Sequence, residues 1–298
     1  MVGIVNKIIE SLDEIRSLVP EILRDSTDKL LNRDDKNLLT HNFKLFFRGE
    51  TDEGRNCNAS LFRKDKNGND FYVKESEYLN AIYDRAPREF NDFHGFDRIT
   101  KVQHYGGKTR LLDFTEDIEI AIFFACSGHN KDKDGIIYCC YADYYDFSNG
   151  RNKIIKDVFY TYCSDIRSLE RIIVKHKISK DFLIKLLGQD HFIKPLESNE
   201  RIRRQKGQFL WMGDTGLLIE PVNNERLLEK KPSEPLRTKI ADSRYSLYNG
   251  VISTIIIPSK TKGKILDKLR RKYGISKTYI YVKPEEVIKR INTAFCIK

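Results

Sequence analysis

The stretch QHYGGKTRLLDFT, residues 103–115, runs almost directly into the apolar segment IEIAIFFAC, residues 118–126. An earlier apolar run, residues 43–47, ends at Arg48 and Gly49. Both stretches put charged or polar side chains at the edge of apolar runs. Such groups are costly at the edge of a core unless they are paired or bind something. The two stretches therefore predict buried strands or helices with candidate site residues at their ends.

Hydrophobic spacing along the chain predicts a mixed α+β fold. Helices are expected at 4–31 with an interruption at Pro20, and at 75–85, 116–125, 165–187 and 262–273. Strands are expected at 43–48, 136–142, 209–212, 216–220, 251–258 and 279–282. Residues 102–113 are expected to form a loop and strand broken by two glycines. Thr115 is a plausible N-cap and Gly274 a normal C-cap.

Composition restricts the class of protein. The chain has 298 residues, of which 40% are hydrophobic and 32% charged, and this favours a soluble globular protein. No apolar run approaches the roughly 18 residues that span a bilayer, so no membrane association is expected. The six cysteines include no CxxC pair. Neither zinc binding nor a disulfide framework is indicated, and a cytoplasmic location is expected. Nothing in the sequence predicts another metal site.

Positive charge is concentrated at the C-terminal end of the chain. The net charge is +10, and residues 260–298 alone hold twelve Lys or Arg against three acidic residues. A solvated surface is one explanation. A phosphate-rich partner is the other, because clustered cations gain free energy by releasing counterions. The candidate nucleic-acid-binding residues are Lys268, Arg270, Arg271 and Lys272.

Several segments resemble the FRG-domain family of bacterial proteins, which is named for the tripeptide found here at Phe47-Arg48-Gly49. The stretch at 103–115 resembles the central motif of that family. Residues 58–63, 201–209 and 255–275 resemble its other motifs. The resemblance covers about residues 40–298. It implies a toxin or phage-defence setting for the protein.

A second resemblance is to the arginine-class ADP-ribosyltransferases. The aromatic-Arg-Gly run is similar to their first strand, whose arginine binds the phosphates of NAD. Asp113-Phe114-Thr115 stands where these enzymes carry a Ser-Thr-Ser triplet. Gln205 or Gln208 stands where they carry the catalytic Glu. The resemblance implies an ADP-ribosyltransferase-like mixed sheet core with flanking helices at 41–298, after an N-terminal helical extension at 1–40.

The implied reaction is transfer of ADP-ribose from NAD, the cofactor consumed as a substrate, to a macromolecule. The catalytic candidates are Arg48, His104, Gln205 and Gln208. The candidate NAD contacts are Arg48, Gly49, His104, Tyr105, Thr109, Arg110, Asp113 and Thr115. Cleavage of the NAD glycosidic bond has an oxocarbenium-like transition state, so positioning and electrostatics matter more than a strong nucleophile.

Alternatives remain open at several of these positions. Arg48 is either a bidentate phosphate clamp or one half of a structural ion pair, with Glu50 as the candidate partner. Arg110 and Asp113 lie three apart on a strand-like run and point to opposite faces, so they cannot both face one cleft unless the strand bends. Asp113 is the better site candidate.

The acceptor and partners are also open. The basic segment favours a base of single-stranded RNA or DNA over a protein acceptor, with RNA preferred. The N-terminal helix packs on the domain or docks a regulator such as a protein inhibitor or antitoxin. Three other functions are compatible with the sequence: a non-catalytic nucleic-acid-binding module, a metal-dependent nuclease, and an inactive ADP-ribosyltransferase relative.

Overall fold

A computed structural model describes most of the chain. The described residues are 7–31, 42–54, 57–63, 75–128, 132–148, 152–164, 168–196, 200–213 and 250–281. The strands expected at 216–220 and the end of the one expected at 279–282 lie outside these ranges.

Seven strands form one sheet. They are β1 (Lys7–Ile8), β2 (Phe43–Glu50), β3 (Leu111–Thr115), β4 (Gly135–Asp146), β5 (His191–Lys194), β6 (Gly207–Trp211) and β7 (Gly250–Ile257). The order across the sheet is β1-β7-β4-β2-β3-β6-β5. The end of β4, Tyr144–Asp146, also pairs in parallel with β5. Strands β4, β2, β3, β6 and β5 therefore close into a five-stranded, barrel-like ring, and β7 and β1 extend it on one side.

Helices cover the outside of this ring. They are α1 (Leu12–Leu31), α2 (Glu75–Arg85), α3 (Pro87–Phe90), α4 (Phe96–His104), α5 (Ile118–Cys126), α6 (Lys153–Ser164), α7 (Leu169–His176), α8 (Lys180–Gly188), α9 (Glu200–Arg204), α10 (Lys262–Tyr273) and α11 (Lys277–Ile280). Short 3₁₀ turns occupy Ser60–Phe62 and Ser259–Thr261. The mixed helix-and-sheet class expected from the sequence is confirmed.

Three apolar clusters fill the fold because side chains alternate across each strand. One lies inside the ring, where Phe46 of β2 stacks on Phe192 of β5 with ring centroids 4.3 Å apart. A second lies between the sheet and α1, α5 and α10. The third, which we call the closed core, lies between the sheet and helices α2, α4 and α6–α8 and contains Trp211.

The N-terminal helix belongs to the second of these clusters. Leu12, Ile15, Leu18 and Ile22 of α1 are buried there beside residues of α5 and α10. Strand β1 adds to the outer edge of β7 in parallel. The prediction that this segment packs on the domain is confirmed for the described residues, and helix α1 continues through Pro20.

Several element predictions are confirmed, and others are wrong. The helix expected at 165–187 is divided into α7 and α8, because Lys177 adopts the left-handed conformation after α7. The helix at 75–85, the strand beginning at Phe43 and the helix at 262–273 that ends at Gly274 lie where expected. Residues 102–104 are helical and belong to α4, because that amphipathic turn packs in the closed core. The N-cap of α5 is Asp117, whose carboxylate accepts from the backbone N–H of Glu119 and Ile120. The expected strand at 279–282 begins instead as the helical turn α11.

Candidate functional site

A cleft opens where strands β2 and β3 separate. The two antiparallel strands pair through one register position, Phe47 with Thr115. Beyond that pair they diverge, and a cavity of about 1,030 Å³ lies beside the gap. The end of β2 and the middle of β3 form one wall, while α9, α10 and α11 contribute the other. The volume is at the upper end of the range of small-molecule and cofactor sites.

Arg48 lies at the point of divergence. Its Nε and Nη2 donate to Oε1 of Glu50 at 3.0 and 2.5 Å. Its Nη1 donates to the backbone carbonyl of Asp113 at 2.6 Å, so the guanidinium bridges β2 to β3 where backbone pairing has stopped. The side chain is 15% exposed. Arg48 is thus a paired cation that also lines the cleft, and Glu50 is the partner that the sequence suggested.

The surroundings of Arg48 keep it charged. Burial opposes the charged form, but the electrostatic interactions with Glu50, Cys57 and Asp113 outweigh it and raise the pKa of Arg48. Three of the five guanidinium N–H groups make these hydrogen bonds, and the guanidinium also hydrogen-bonds the buried Cys57 thiol, so one donor remains. A guanidinium with a remaining donor suits an anionic ligand such as a phosphate.

Asp113 presents an exposed carboxylate to the cleft. Its Oδ1 accepts from Nε2 of Gln103 at 2.8 Å. The Gln103 carbonyl oxygen in turn accepts from the hydroxyl of Thr109. Asp113 also acts on Tyr281 of the opposite wall: burial raises the pKa of the Tyr281 phenol, Arg201 lowers it and Asp113 raises it further. Since Asp113 lines the cleft and is exposed, its carboxylate can contact a bound ligand.

Two predicted NAD contacts line the cleft but serve the fold. A Cβ added to Gly49 would lie 1.9 Å from the carbonyl oxygen of Ala121, so this glycine is required by the packing of α5 against β2. Thr115 donates through its hydroxyl to the carbonyl of Gln205 at 2.6 Å and accepts from the N–H of Asp117. These bonds hold β3, α5 and the end of α9 together at the cleft floor.

The opposite wall combines cations with aromatic rings. The guanidinium of Arg201 lies 5.4 Å from the centre of the Tyr281 ring. That ring meets Phe124 edge-on at 6.2 Å. Arg270 and Lys277 also line this wall. Gln205 joins it, with Nε2 donating to the carbonyl of Ile280 at 3.4 Å. Such a surface suits a ligand that carries both negative charge and flat rings.

Arg110 and Thr109, two of the predicted NAD contacts, are not among the residues that line the cleft. Arg110 is fully buried in the closed core, where it forms an ion pair with Glu75 and donates to the Tyr162 hydroxyl at 2.7 Å. Its guanidinium also lies 4.7 Å from the Trp211 ring centre. Thr109 is buried beside it. As expected from their spacing, Arg110 and Asp113 serve different faces.

His104, Tyr105 and Gln208 are likewise not among the cleft-lining residues. His104 ends α4, and its pKa is lowered by partial burial and by the charges of Arg201 and Lys101. The Tyr105 hydroxyl donates to Glu89 at 3.2 Å. Gln208 is buried and donates to Glu116 at 2.8 Å. Of the two glutamines predicted at the catalytic position, only Gln205 reaches the cleft.

The basic side chains predicted to bind nucleic acid lie on α10 and carry local counter-charges. Lys268 and Lys272 lie 2.5 and 3.9 Å from carboxylate oxygens of Asp13 on α1. Arg270 and Arg271 both pair with Asp267. Only Arg270 of the four also lines the cleft. These exposed pairs reduce the charge that α10 offers to a polyanion.

The sequence missed the residues of the second wall, Arg201, Lys277 and Tyr281. They follow β6 or lie far from the central motif, so only tertiary packing brings them to Arg48. Gln103 was also missed, although it opens the central motif. A signal was available, because Gln103 lies in the last turn of helix α4, next to the loop that leads to Thr109 and Asp113.

Comparison with known proteins identifies one family. Residues 43–134 match the sequence profile of the FRG domain, so this segment of the chain is an FRG domain. The resemblance seen in the sequence is thereby confirmed for residues 43–134, and the motifs at 201–209 and 255–275 lie outside the matched segment. The matched segment contains Arg48, Gln103 and Asp113, whereas the second wall of the cleft lies beyond it. No curated protein and no solved structure matches the chain.

Among the described residues, no helix is long and apolar enough to cross a membrane. No group of three or more His, Cys, Asp or Glu side chains in those ranges is placed to hold a metal ion.

Proposed function

We propose that the protein is an NAD-dependent ADP-ribosyltransferase that binds NAD in the cleft between β2 and β3. The observation that carries this proposal is the position of Arg48, a charged guanidinium that lines the cleft at the point where the two strands part and keeps one donor beyond its protein partners. The cleft volume of about 1,030 Å³ is sufficient for a dinucleotide. The proposed core is of the ADP-ribosyltransferase type, with β2 as the arginine-bearing strand and β3 leading into α5.

In this proposal Arg48 binds the pyrophosphate, for which a planar fork of donors is well matched. Phe124 and Tyr281 offer faces on which a nicotinamide or adenine ring can pack. Thr115 and Gln205 hold the floor of the cleft. Rings and phosphates together distinguish a dinucleotide from a simple anion, and the cleft offers groups for both.

Binding of NAD to the full chain tests this proposal. Calorimetric titration should give a saturable affinity, and Arg48→Lys should weaken it about 10- to 100-fold, the effect of losing a hydrogen bond to a charged group. Arg85→Lys, at an exposed site on α2, is the matched control and should bind as the parent does. Absence of NAD binding by the parent, or equal binding by Arg48→Lys, contradicts the proposal.

We propose a base of single-stranded nucleic acid, RNA by preference, as the acceptor. Arg204 lies 5.6 Å from the Tyr279 ring, and the Arg201–Tyr281 pair lies at the cleft itself. Paired cations and aromatic rings are what single strands bind, through phosphates and stacked bases. Label from NAD should be released from the product by nuclease. Release by protease alone assigns a protein acceptor.

An effector role in a toxin or phage-defence system follows from the proposed activity. Depletion of NAD or modification of RNA in a bacterial cell should arrest growth. Induced expression of the parent should therefore be toxic, whereas Arg48→Lys expressed to the same level should not be. Equal toxicity of the two proteins contradicts this role.

A further inference from the structure

Three side chains of the central motif form a hydrogen-bonded relay that ends in the cleft. Thr109 donates to the carbonyl oxygen of Gln103, and the Gln103 amide donates to Oδ1 of Asp113 at 2.8 Å. The residues come from three places: the last turn of α4, the loop before β3, and β3 itself. Because Gln103 lies six positions from Thr109 and ten from Asp113, on different elements, only the fold brings the three side chains together.

The inner end of the relay is fixed. Thr109 is buried, its N–H donates to the Ser60 hydroxyl at 3.0 Å, and its carbonyl accepts from Leu61 N–H at 3.0 Å. The Thr109 hydroxyl also accepts from Leu111 N–H at 3.4 Å, so its own proton is directed to Gln103. The amide oxygen of Gln103 is thereby occupied, and its NH₂ group faces Asp113. The relay thus presents a donor to the carboxylate in one defined orientation.

Asp113 differs from the other acids of the cleft. The described cleft-lining acids are Glu50, Asp113 and Asp267. Glu50 is paired with Arg48, and Asp267 is paired with Arg270 and Arg271. Among the described side chains no cation forms an ion pair with Asp113. Its backbone carbonyl binds Arg48 while its carboxylate stays exposed.

We propose that Asp113 is the catalytic carboxylate of the cleft and that Gln103 is its positioning residue. This inference rests on the proposed function. As the bond from ribose C1′ to the nicotinamide nitrogen breaks, its electron pair leaves with nicotinamide and positive charge develops at C1′. The Asp113 carboxylate stabilises that charge. The acceptor nitrogen then forms the new bond to C1′, and its proton passes to Asp113 and on to water.

The chain carries glutamine where the ADP-ribosyltransferase motif of the last strand carries the catalytic Glu. Asp113 of β3 provides a carboxylate to the same cleft instead. Gln205 reaches the cleft but carries no charge, and Gln208 is buried and does not line it. The carboxylate of Asp113 on β3, whose own backbone carbonyl accepts from Arg48, serves the same electrostatic purpose across the gap from β2. Its distance from Arg48 is fixed by the hydrogen bond from Nη1 to the Asp113 carbonyl, at 2.6 Å.

Asp113→Asn in the full chain tests the catalytic role, with Asp84→Asn at an exposed site on α2 as the matched control. Nicotinamide release from labelled NAD, in water and with single-stranded RNA, gives kcat, and calorimetry gives the NAD affinity. Asp113→Asn should lower kcat at least 100-fold, as loss of a general base does, with NAD affinity within about threefold of the parent. A kcat equal to that of the control overturns the assignment.

A double-mutant cycle tests the positioning role. Gln103→Met should lower kcat about 10- to 100-fold, the effect of one hydrogen bond to a charged group. If Gln103 acts through Asp113, adding Gln103→Met to Asp113→Asn should lower kcat no further. An additional loss of the same size in the double variant shows a merely structural role and overturns the positioning assignment.

The two proposals fail in distinguishable ways. Failure of the parent to bind NAD removes the proposed function and this inference with it. A parent that binds NAD but releases no nicotinamide excludes transferase activity and any catalytic role for Asp113. A parent that binds NAD and releases nicotinamide, with an equally active Asp113→Asn, leaves the proposed function in place and removes only the Asp113 assignment.

Discussion

Arg48 and Arg110 are two arginines in the same kind of ion pair in two different surroundings. Each pairs with a glutamate, Glu50 or Glu75, and each reaches a backbone carbonyl of another strand or loop. Arg48 is 15% exposed and lines a large cleft, whereas Arg110 is fully buried among Trp211 and other aromatic rings. The difference shows that surroundings, more than residue type or pairing, separate a candidate site from scaffold.

The closed core accommodates the Arg110 cation because each of its three guanidinium nitrogens donates a hydrogen bond. Glu75 supplies the opposite charge, the Tyr162 hydroxyl accepts from Nη2, and the Met212 carbonyl accepts from Nη1. A buried ion pair is weak as a source of stability, but breaking it leaves an uncompensated charge. At Arg48 the cleft admits water, so the same change has a smaller penalty.

The largest effect is expected at Arg110. Arg110→Met leaves the Glu75 carboxylate buried without its cation, and the free energy of unfolding should fall by about 3–5 kcal/mol. Urea unfolding at pH 7 measures it. The double variant Arg110→Met with Glu75→Leu removes both charges and should recover most of the loss. A single variant that loses less than about 1 kcal/mol would contradict the description of a closed core.

Local signals explain what the sequence predicted correctly. The helix at 75–85 and the strand beginning at Phe43 follow from periodicity within one segment, and Gly274 ends α10 with a φ of 68°. Arg48 was found because an arginine between an apolar strand and a glycine is a local pattern. For the same reason Glu50, two residues on, was correctly suggested as its partner.

Non-local packing explains what the sequence could not predict. Arg110 carries the same local signal as a site residue, and only its contact with Glu75, 35 positions away, makes it structural. The wall formed by α9, α10 and α11 comes from residues 201–205 and 263–281, which only tertiary packing brings to the cleft, and no periodicity encodes that packing. Gly49 was predicted as a ligand contact, yet a glycine is needed there because the backbone of α5 packs directly against it.

His191 is a second basic residue that is buried in the closed core. Its Nε2–H donates to the Leu186 carbonyl at 2.8 Å. Burial lowers its pKa from 6.5 to about 4, opposed in part by that hydrogen bond and by Asp190. The unfolded chain therefore binds a proton between pH 6.5 and 4 that the folded protein excludes.

Stability should accordingly fall as the pH drops from about 6.5 to 4, by about 3 kcal/mol from this residue. Urea unfolding across this range measures the loss. His191→Gln keeps a donor for Leu186 and should flatten the acid limb by that amount, whereas exposed His94→Gln should leave it unchanged. An acid limb of equal slope in the parent and His191→Gln would show that the closed core does not exclude the imidazolium.

Gly49→Ala tests whether the cleft wall is scaffold at this position. The added methyl would meet the Ala121 carbonyl at 1.9 Å, so α5 must shift. The expected loss of unfolding free energy is about 1–3 kcal/mol, the typical penalty of overpacking. Gly263→Ala, also at the cleft and with nothing within 4 Å of the added Cβ, is the control and should be neutral or slightly stabilising.

The smallest loss of unfolding free energy is expected at Arg48, and its size relative to Arg110 tests most directly whether the two arginines differ in their access to water. Arg48→Met leaves Glu50 at the edge of a water-accessible cleft, where the carboxylate can regain hydration. The unfolding free energy should therefore fall by only about 1–2 kcal/mol, the loss of hydrogen bonds to a charged group near water. Urea unfolding beside Arg110→Met, under the same conditions, measures the difference between the two arginines. Equal losses at both positions would mean that Arg48 is as closed to water as Arg110, and the cleft would then offer no free guanidinium to a phosphate.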